Sequence, residues 1–402
     1  MAASRLPLLI LGAVLAMAMA GAASAQAPAS PAATRSPSEA RACHGPAGWD
    51  AACLRRLYSG TSPTWPAPTL DPGVSWTEWT AVPPASSPPL SWLAANAGRP
   101  QLAADAARPE IVTLGQMLFF DSRVSRKGQV SCASCHLPQR AFTDGRALAV
   151  GEDQLMGRRR STPLYAAPFA PVLFWDGRAA TLKEQVLGPI HDPREMNHDA
   201  AGVVARLRET NPYPTEFLRA FGAPAPVQPS AVDADRVARA LATYVATLRP
   251  EPTRFDAFLD GSKTALDDTE LLGMHLFRTQ ARCMNCHSGA LLTDNQFHNI
   301  GLSFYGRRNQ DLGRFEVTRD LADLGKFRTP SLRNVSLAGP WMHNGLFPDL
   351  KGLLRMYNAG MGRDAAPANP PDPYAPRKSE HIRSLDLSAD EIDALLAFMK
   401  VL

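Results

Sequence analysis

The chain has no large surplus of charge of either sign. Lys and Arg number 42 and Asp and Glu 38 among 402 residues, a formal net charge of +4. That is too balanced for a protein whose main partner is nucleic acid or an anionic membrane surface. Long hydrophobic runs are missing after the first 25 residues: no later stretch approaches the 18 unbroken apolar residues of a membrane-spanning helix. Runs of alternating apolar and polar residues are also lacking, which argues against a β architecture. Cysteine is scarce; six residues are too few to staple so long a chain, so each needs its own explanation. What is present is ordinary for a globular protein: 45% hydrophobic and 20% charged residues, which excludes a mainly disordered chain. The 28 Gly and 36 Pro are enough for long ordered loops between short helices but fall short of a low-complexity composition.

Arg5 precedes an apolar run from Leu6 to about Ala20, followed by Ala23-Ser24-Ala25, the order of a secretory signal peptide and too short a run to cross a bilayer. Cleavage after Ala25 would leave 377 residues in an exported, oxidising compartment. Gln26 to Ser38 is rich in Ala, Pro and Ser, a composition that does not bury a core. Ala40 to Gly98 carries Cys43, Cys53 and Trp65, Trp76, Trp79 and Trp92 among many prolines; it reads as an extended arm held to the main body by its aromatic residues.

Beyond the arm the patterning is helical. Ile111, Leu114 and Leu118 recur at helical spacing, and Thr181 with Glu184 has the form of a capping box. Val237, Leu241, Tyr244, Val245 and Leu248 make an amphipathic stripe ended by Pro250. Leu271, Leu272 and Leu276 head a further helix, Leu350, Leu353, Leu354 and Tyr357 share one face, and Ser388 with Glu391 caps a last helix bearing Ile392, Leu395, Leu396 and Met399. The expected fold class is mainly α with long loops.

Cys132-Ala133-Ser134-Cys135-His136 and Cys283-Met284-Asn285-Cys286-His287 both read C-x-x-C-H, the attachment signature of c-type haem. Two thiols on one helical turn add to the two haem vinyl groups, and the next residue offers an imidazole to the iron. About 0.002 copies are expected by chance at this composition, so two copies carry weight. A zinc ribbon would bring its C-x-x-C pairs closer than the 151 residues between Cys132 and Cys283, and a redox dithiol has no use for His136 and His287. Two covalently bound haems require export to the periplasm. Cys43 and Cys53 remain, and in an oxidising compartment the simplest reading is a disulfide in the arm.

With these motifs in place, the chain resembles the bacterial di-haem cytochrome c peroxidase/MauG superfamily over about residues 105–402. The resemblance rests on the two C-x-x-C-H sites, Phe174-Trp175-Asp176-Gly177-Arg178, the run from Gly325 to Asn334, and Gly339-Pro340-Trp341-Met342-His343-Asn344-Gly345. It implies two cytochrome c-like haem domains: signal peptide 1–25, arm 26–104, a first, peroxidatic haem domain 105–255, and a second, electron-transfer haem domain 256–402. His136 and His287 would ligate the irons. Trp175, Gln185, Pro189 and Glu195 match the family's bridging Trp and its distal Gln, Pro and Glu. A distal carboxylate has a physical task, to take a proton from one peroxide oxygen and return it to the other. Out of that context Glu195 is a solvated carboxylate and Trp175 a core aromatic.

Many relatives place a His after the first haem motif to cap the iron. Here no His occurs between His136 and His191, so the first iron is expected to be open, with Glu152 and Met156 the only alternative ligands in that loop. Arg158, Arg159 and Arg160 are read either as propionate partners or as a solvated run. The sixth ligand of the second iron falls on Tyr357; Met356 is rotated about 100° from it around the helix, and Met361 follows. The resemblance also implies a calcium ion on Ser161, where the family has Asn, and on the carbonyls of Ala338 and Pro340. Its expected partners are hydrogen peroxide and an electron donor such as a small c-type cytochrome, a cupredoxin or quinol, with a homodimer among the known assemblies. The leading expectation is peroxide reduction to water. The alternatives are MauG-like oxidation of Trp or Tyr on a partner protein and a non-enzymatic electron-transfer cytochrome. MauG carries a Trp just ahead of its second haem motif as an exit for oxidising equivalents, where this chain has Ala281.

Overall fold

The computed structural model describes residues 43–46, 48–82, 99–223, 230–363, 372 and 374–402. The signal-peptide reading, the segment from Gln26 to Ser38, and Trp92 lie outside the described residues. Helices carry the described architecture. Strands are confined to two short antiparallel pairs, His44–Gly45 with Gly48–Trp49 and Phe297–His298 with Phe327–Arg328.

The apolar stripes gather the helices around two hydrophobic cores. The first draws on Pro109–Phe120, Leu182–His191, Ala200–Glu209, Tyr213–Phe221 and Ala234–Thr247, and buries Ile111, Leu114, Leu118, Leu207, Phe217 and Leu241. The second draws on Arg254–Leu259, Asp268–Arg278, Leu350–Asn358 and Ala389–Met399. One device recurs in both. A Cβ on Gly115 would come within 2.0 Å of the Ala240 carbonyl oxygen, and one on Gly273 within 1.9 Å of that of Ala394. In each core the helix preceding the C-x-x-C-H motif therefore presses its bare backbone against a later helix, a contact open only to glycine.

Local capping follows the sequence with one shift. Thr181 accepts from Glu184 N–H at 3.2 Å, but the Glu184 carboxylate accepts from Ala180 N–H rather than from that of Thr181. Ser388 and Glu391 close a complete capping box. The helix over Ala234–Thr247 stops at Leu248, already extended, before Pro250.

The arm is not wholly extended. Asp50 accepts from Cys53 N–H at 3.0 Å and starts a helix over Ala51–Leu57; a disulfide joins Cys43 and Cys53 across the adjoining hairpin. Trp65 and Trp79 are buried in the second core against Phe258 and against Phe255, Phe277 and Phe398 respectively, while Trp76 stays 36% exposed. Pro100–Ala106 packs instead on the first core, where Asp105 pairs with Arg239.

Candidate functional site

Each C-x-x-C-H segment folds as a single turn, and the histidine N–H donates to the first cysteine's carbonyl, His136 to Cys132 at 3.0 Å and His287 to Cys283 at 2.9 Å. The imidazoles are oriented alike. His136 Nδ1 lies 2.7 Å from the Phe142 carbonyl and His287 Nδ1 2.8 Å from that of Leu292. A carbonyl can only accept, so Nδ1 carries the proton and Nε2 is the nitrogen with a lone pair to offer a metal. Both acceptor residues have left-handed backbones, φ 56 at Phe142 and φ 53 at Leu292. Burial lowers the pKa of both imidazoles, with the Phe142 and Thr162 carbonyls opposing it at His136 and the Leu292 carbonyl at His287. Burial pushes Cys132, Cys135 and Cys283 up to about 12 and raises Cys286 as well. None of the four is in a disulfide, and thiols raised in this way do not make a low-pKa redox dithiol.

Cys132, Cys135 and His136 open on a cavity whose other wall carries Gln185, Val186, Pro189, Glu195 and Met196. Gln185 and Pro189 stand one turn apart on the Leu182–His191 helix, on one face. The turn beyond that helix presents Glu195: its N–H donates to Asp192 O, that of Met196 to Pro189 O, and that of Glu152 to Glu195 O at 2.8 Å. Gly151 makes this clamp possible, since a Cβ there would come within 2.3 Å of the carbonyls of Arg194 and Glu195. Burial raises the Glu195 carboxyl to about 7, helped by Asp192 and opposed by Arg178. Both Cys132 and Cys135 feel its charge. Neither alternative loop ligand reaches this cavity. The buried Glu152 carboxylate accepts from Ser125 Oγ at 2.8 Å and Lys127 N–H at 2.6 Å, and Met156 is 60% exposed.

A larger cavity opens at Cys283, Cys286 and His287 and is lined by Leu350, Leu353, Leu354 and Tyr357. Burial raises the Tyr357 phenol, with Cys286 and Cys283 adding to it. Met356 is 37% exposed, Met361 is buried elsewhere, and neither lines the cavity. Met342 does, a thioether the sequence reasoning passed over because the motif's attention fell on His343. The segment from Arg160 to Leu164 divides the two cavities, Arg160 and Pro163 facing the larger and Leu164 the smaller. Trp175 stands at this partition, on the larger cavity's wall, donating Nε1–H to the Arg160 carbonyl at 3.0 Å with its ring edge-on to His343.

The three consecutive arginines have different fates. Arg158 pairs with Glu316, and Arg159 is held between Asp311 and Asp176. Arg160 pairs with no carboxylate among the described residues; its Nε is buried without a partner and burial lowers its pKa to about 10. Arg328, also lowered to about 10 by burial, donates to the neutral oxygens of Asn295 and Phe174. Two enclosed cations on the wall of a mostly apolar cavity, with no carboxylate among the described residues in direct contact and only the charges of Asp144 and Asp294 felt from nearby, fit the two propionates of a haem. The calcium trio fits less well. The Ala338 carbonyl accepts from the Arg160 guanidinium, and buried Ser161 Oγ has no partner. With a guanidinium on one of the three donors and the others neutral, Ser161, Ala338 and Pro340 as arranged do not make a calcium cage.

A mainly helical chain with two C-x-x-C-H cavities has the build of a di-haem cytochrome, and comparison with known proteins gives the family. The family model for di-haem cytochrome c peroxidase matches residues 109–264. The methylamine utilization protein MauG of Methylorubrum extorquens is 36% identical over 329 residues, covering 80% of this chain and 88% of that protein. Cytochrome c551 peroxidase of Nitrosomonas europaea is 35% identical over 297 residues, 73% of this chain and 80% of its own. The crystal structure of a MauG-like protein associated with microbial copper homeostasis superposes with a TM-score of 0.65 at 29% identity, covering 83% of this chain and 95% of that one. The chain belongs to the di-haem cytochrome c peroxidase family, oxidoreductases acting on peroxide with haem c as cofactor.

Proposed function

We propose that the first cavity reduces hydrogen peroxide to water and the second passes in the electrons. Thioether links from Cys132 and Cys135, and from Cys283 and Cys286, would hold one haem c in each cavity, with His136 and His287 as iron ligands; the haems supply the redox chemistry. The chain's own part is to admit peroxide and move its proton. Gln185, Pro189 and Glu195 line the wall of the first cavity, and none of the loop side chains Glu152 to Arg160 enters it, so the distal side is left to the substrate. Glu195 takes the proton of the near oxygen and returns it to the departing one, within an overall reaction in which peroxide, two electrons and two protons give two waters. Electrons cross at the Trp175 partition. Tyr357 would be the second iron's other ligand, and an oxygen donor there would favour its oxidised state. Periplasmic export suits both covalent haem attachment and the Cys43–Cys53 disulfide, and a cytochrome, cupredoxin or quinol would be the donor.

The observation that carries this reading is a carboxyl with a pKa of about 7 sharing a cavity with a haem-motif histidine. Glu195→Gln is expected to slow the reaction with peroxide by about two to four orders of magnitude at unchanged haem content; an undiminished rate would overturn it. Tyr357 on the second cavity wall favours a second reading, MauG-like oxidation of Trp or Tyr on a partner protein, while Ala281 weighs against it. Rapid turnover of reduced cytochrome supports the first reading. A long-lived oxidised state indifferent to cytochrome supports the second.

A further inference from the structure

Four aromatic residues of the arm line up between the second cavity and the surface. Trp79 is fully buried and donates Nε1–H to the His287 carbonyl at 3.4 Å, joining an indole to the backbone of a candidate iron ligand. The Arg278 guanidinium lies 4.9 Å from the Trp79 ring and 5.4 Å from the Trp65 ring, which puts the two indoles within one hop of each other. The Trp65 ring is 5.2 Å from that of Tyr58. The Tyr58 hydroxyl meets His275 Nδ1 at 2.8 Å, both residues being buried. His275 packs edge-on against Trp49 at 5.1 Å, and half-buried Trp49, in the hairpin tied by the Cys43–Cys53 disulfide, donates to Glu391 at 3.0 Å.

Packing alone asks only for bulk, which phenylalanine supplies without a polar atom to satisfy, and Phe255, Phe258, Phe277 and Phe398 supply it around this line. The four residues in the line are the oxidisable types, and each polar atom has its own acceptor, Trp65 Nε1 on the Gly60 carbonyl at 2.9 Å among them. Arg278 is neutralised by a two-pronged pair with Glu78, so no uncompensated cation blocks a positive hole between the indoles. At Tyr58 the hole can rest when His275 is the tautomer with Nδ1 unprotonated, because that nitrogen, 2.8 Å away, can then receive the phenolic proton.

We propose that Trp79, Trp65, Tyr58 and Trp49 form a one-electron path between the second haem site and the surface, with Tyr58 and His275 as its proton-coupled station. In the defining step Tyr58 gives one electron towards the second site through Trp65 and Trp79. Its O–H bond breaks as His275 Nδ1 takes the proton, leaving a neutral tyrosyl radical beside an imidazolium. Peroxide acting at the first site is the oxidant, so the proposal rests on the function proposed above. A one-electron donor protein such as a small c-type cytochrome, docked at the surface near Trp49 and oxidised by one electron, returns the electron, and the proton returns from His275 to Tyr58.

The test is EPR of the holoprotein freeze-quenched after one equivalent of peroxide, beside a second sample oxidised with hexachloroiridate(IV), which needs no peroxide chemistry. The expected result is a radical signal that narrows when tyrosine is ring-deuterated, falls at least about fivefold in Tyr58→Phe, and persists in Tyr374→Phe, an exposed control. An undiminished signal in Tyr58→Phe, no narrowing on deuteration, or no radical in either sample would overturn it. A Tyr58-dependent signal in the iridate sample alone would uphold the path and count against the proposed peroxide reaction.

Discussion

The pH profile of Glu195 is the most exacting consequence of the first cavity. Burial and the nearby Asp192 raise its carboxyl to about 7, and Arg178 draws it down; the thiols of Cys132 and Cys135, which would become thioethers on the proposed haem attachment, are the other groups that feel its charge. The ionised form accepts the peroxide proton, so activity must rise with pH. With that pKa, about half the molecules are competent at pH 7, about a tenth at pH 6 and about a hundredth at pH 5. An ordinary glutamate would still be about four-fifths ionised at pH 5 and almost wholly so at pH 6. Stopped-flow measurement of the second-order reaction with peroxide should therefore show a rate that falls about fivefold from pH 7 to 6 and about tenfold from pH 6 to 5, and levels off above about pH 8, and Glu195→Gln should be slow and flat. Asp192→Asn removes a charge that raises the pKa and should move the inflection to lower pH; Arg178→Gln should move it upward. A wild-type rate that is level from pH 5 to 8, or an inflection that survives in Glu195→Gln, would refute the assignment.

Tyr357→Phe should change the low-spin optical and EPR signature of the second haem, because Tyr357 is the phenol on that cavity wall; an unchanged spectrum would pass the role to a neighbour such as Met342. Gly273→Ala should cost about 1–3 kcal/mol by overpacking the helix contact, read as a lower denaturant midpoint. Gly45→Ala, where an added Cβ meets nothing within 4 Å, is the control, and equal midpoints would show that the backbones can part.

Much of the second core and both haem motifs were legible because their signals are local. Leu350, Leu353, Leu354 and Tyr357 share a face by helical spacing alone, and the same geometry puts Met356 outside the cavity. The C-x-x-C-H spacing closes its own turn, and Ser388 with Glu391 its own cap. What stayed hidden depends on distant partners. Nothing near Arg158, Arg159 and Arg160 says that the first two find Glu316, Asp311 and Asp176 while the third, beside the partition, has only the Ala338 carbonyl and no carboxylate in contact. Arg328 likewise stands out only once its hydrogen-bond acceptors prove to be neutral oxygens. Gly115 and Gly273 have their reason only in Ala240 and Ala394, which come from far along the chain. The arm misled for a similar reason: its prolines suggest extension, yet Asp50 starts a helix inside the disulfide loop.

The account's central claim is that one iron is open beside Glu195 and the other is closed by a side chain of the second cavity. Low-temperature EPR of the ferric holoprotein as purified tests it most directly. The account predicts one high-spin and one low-spin haem in equal amounts, the high-spin signal alone changing when peroxide is added. Two low-spin signals would contradict it, since both irons would then be closed and the first cavity could not take peroxide.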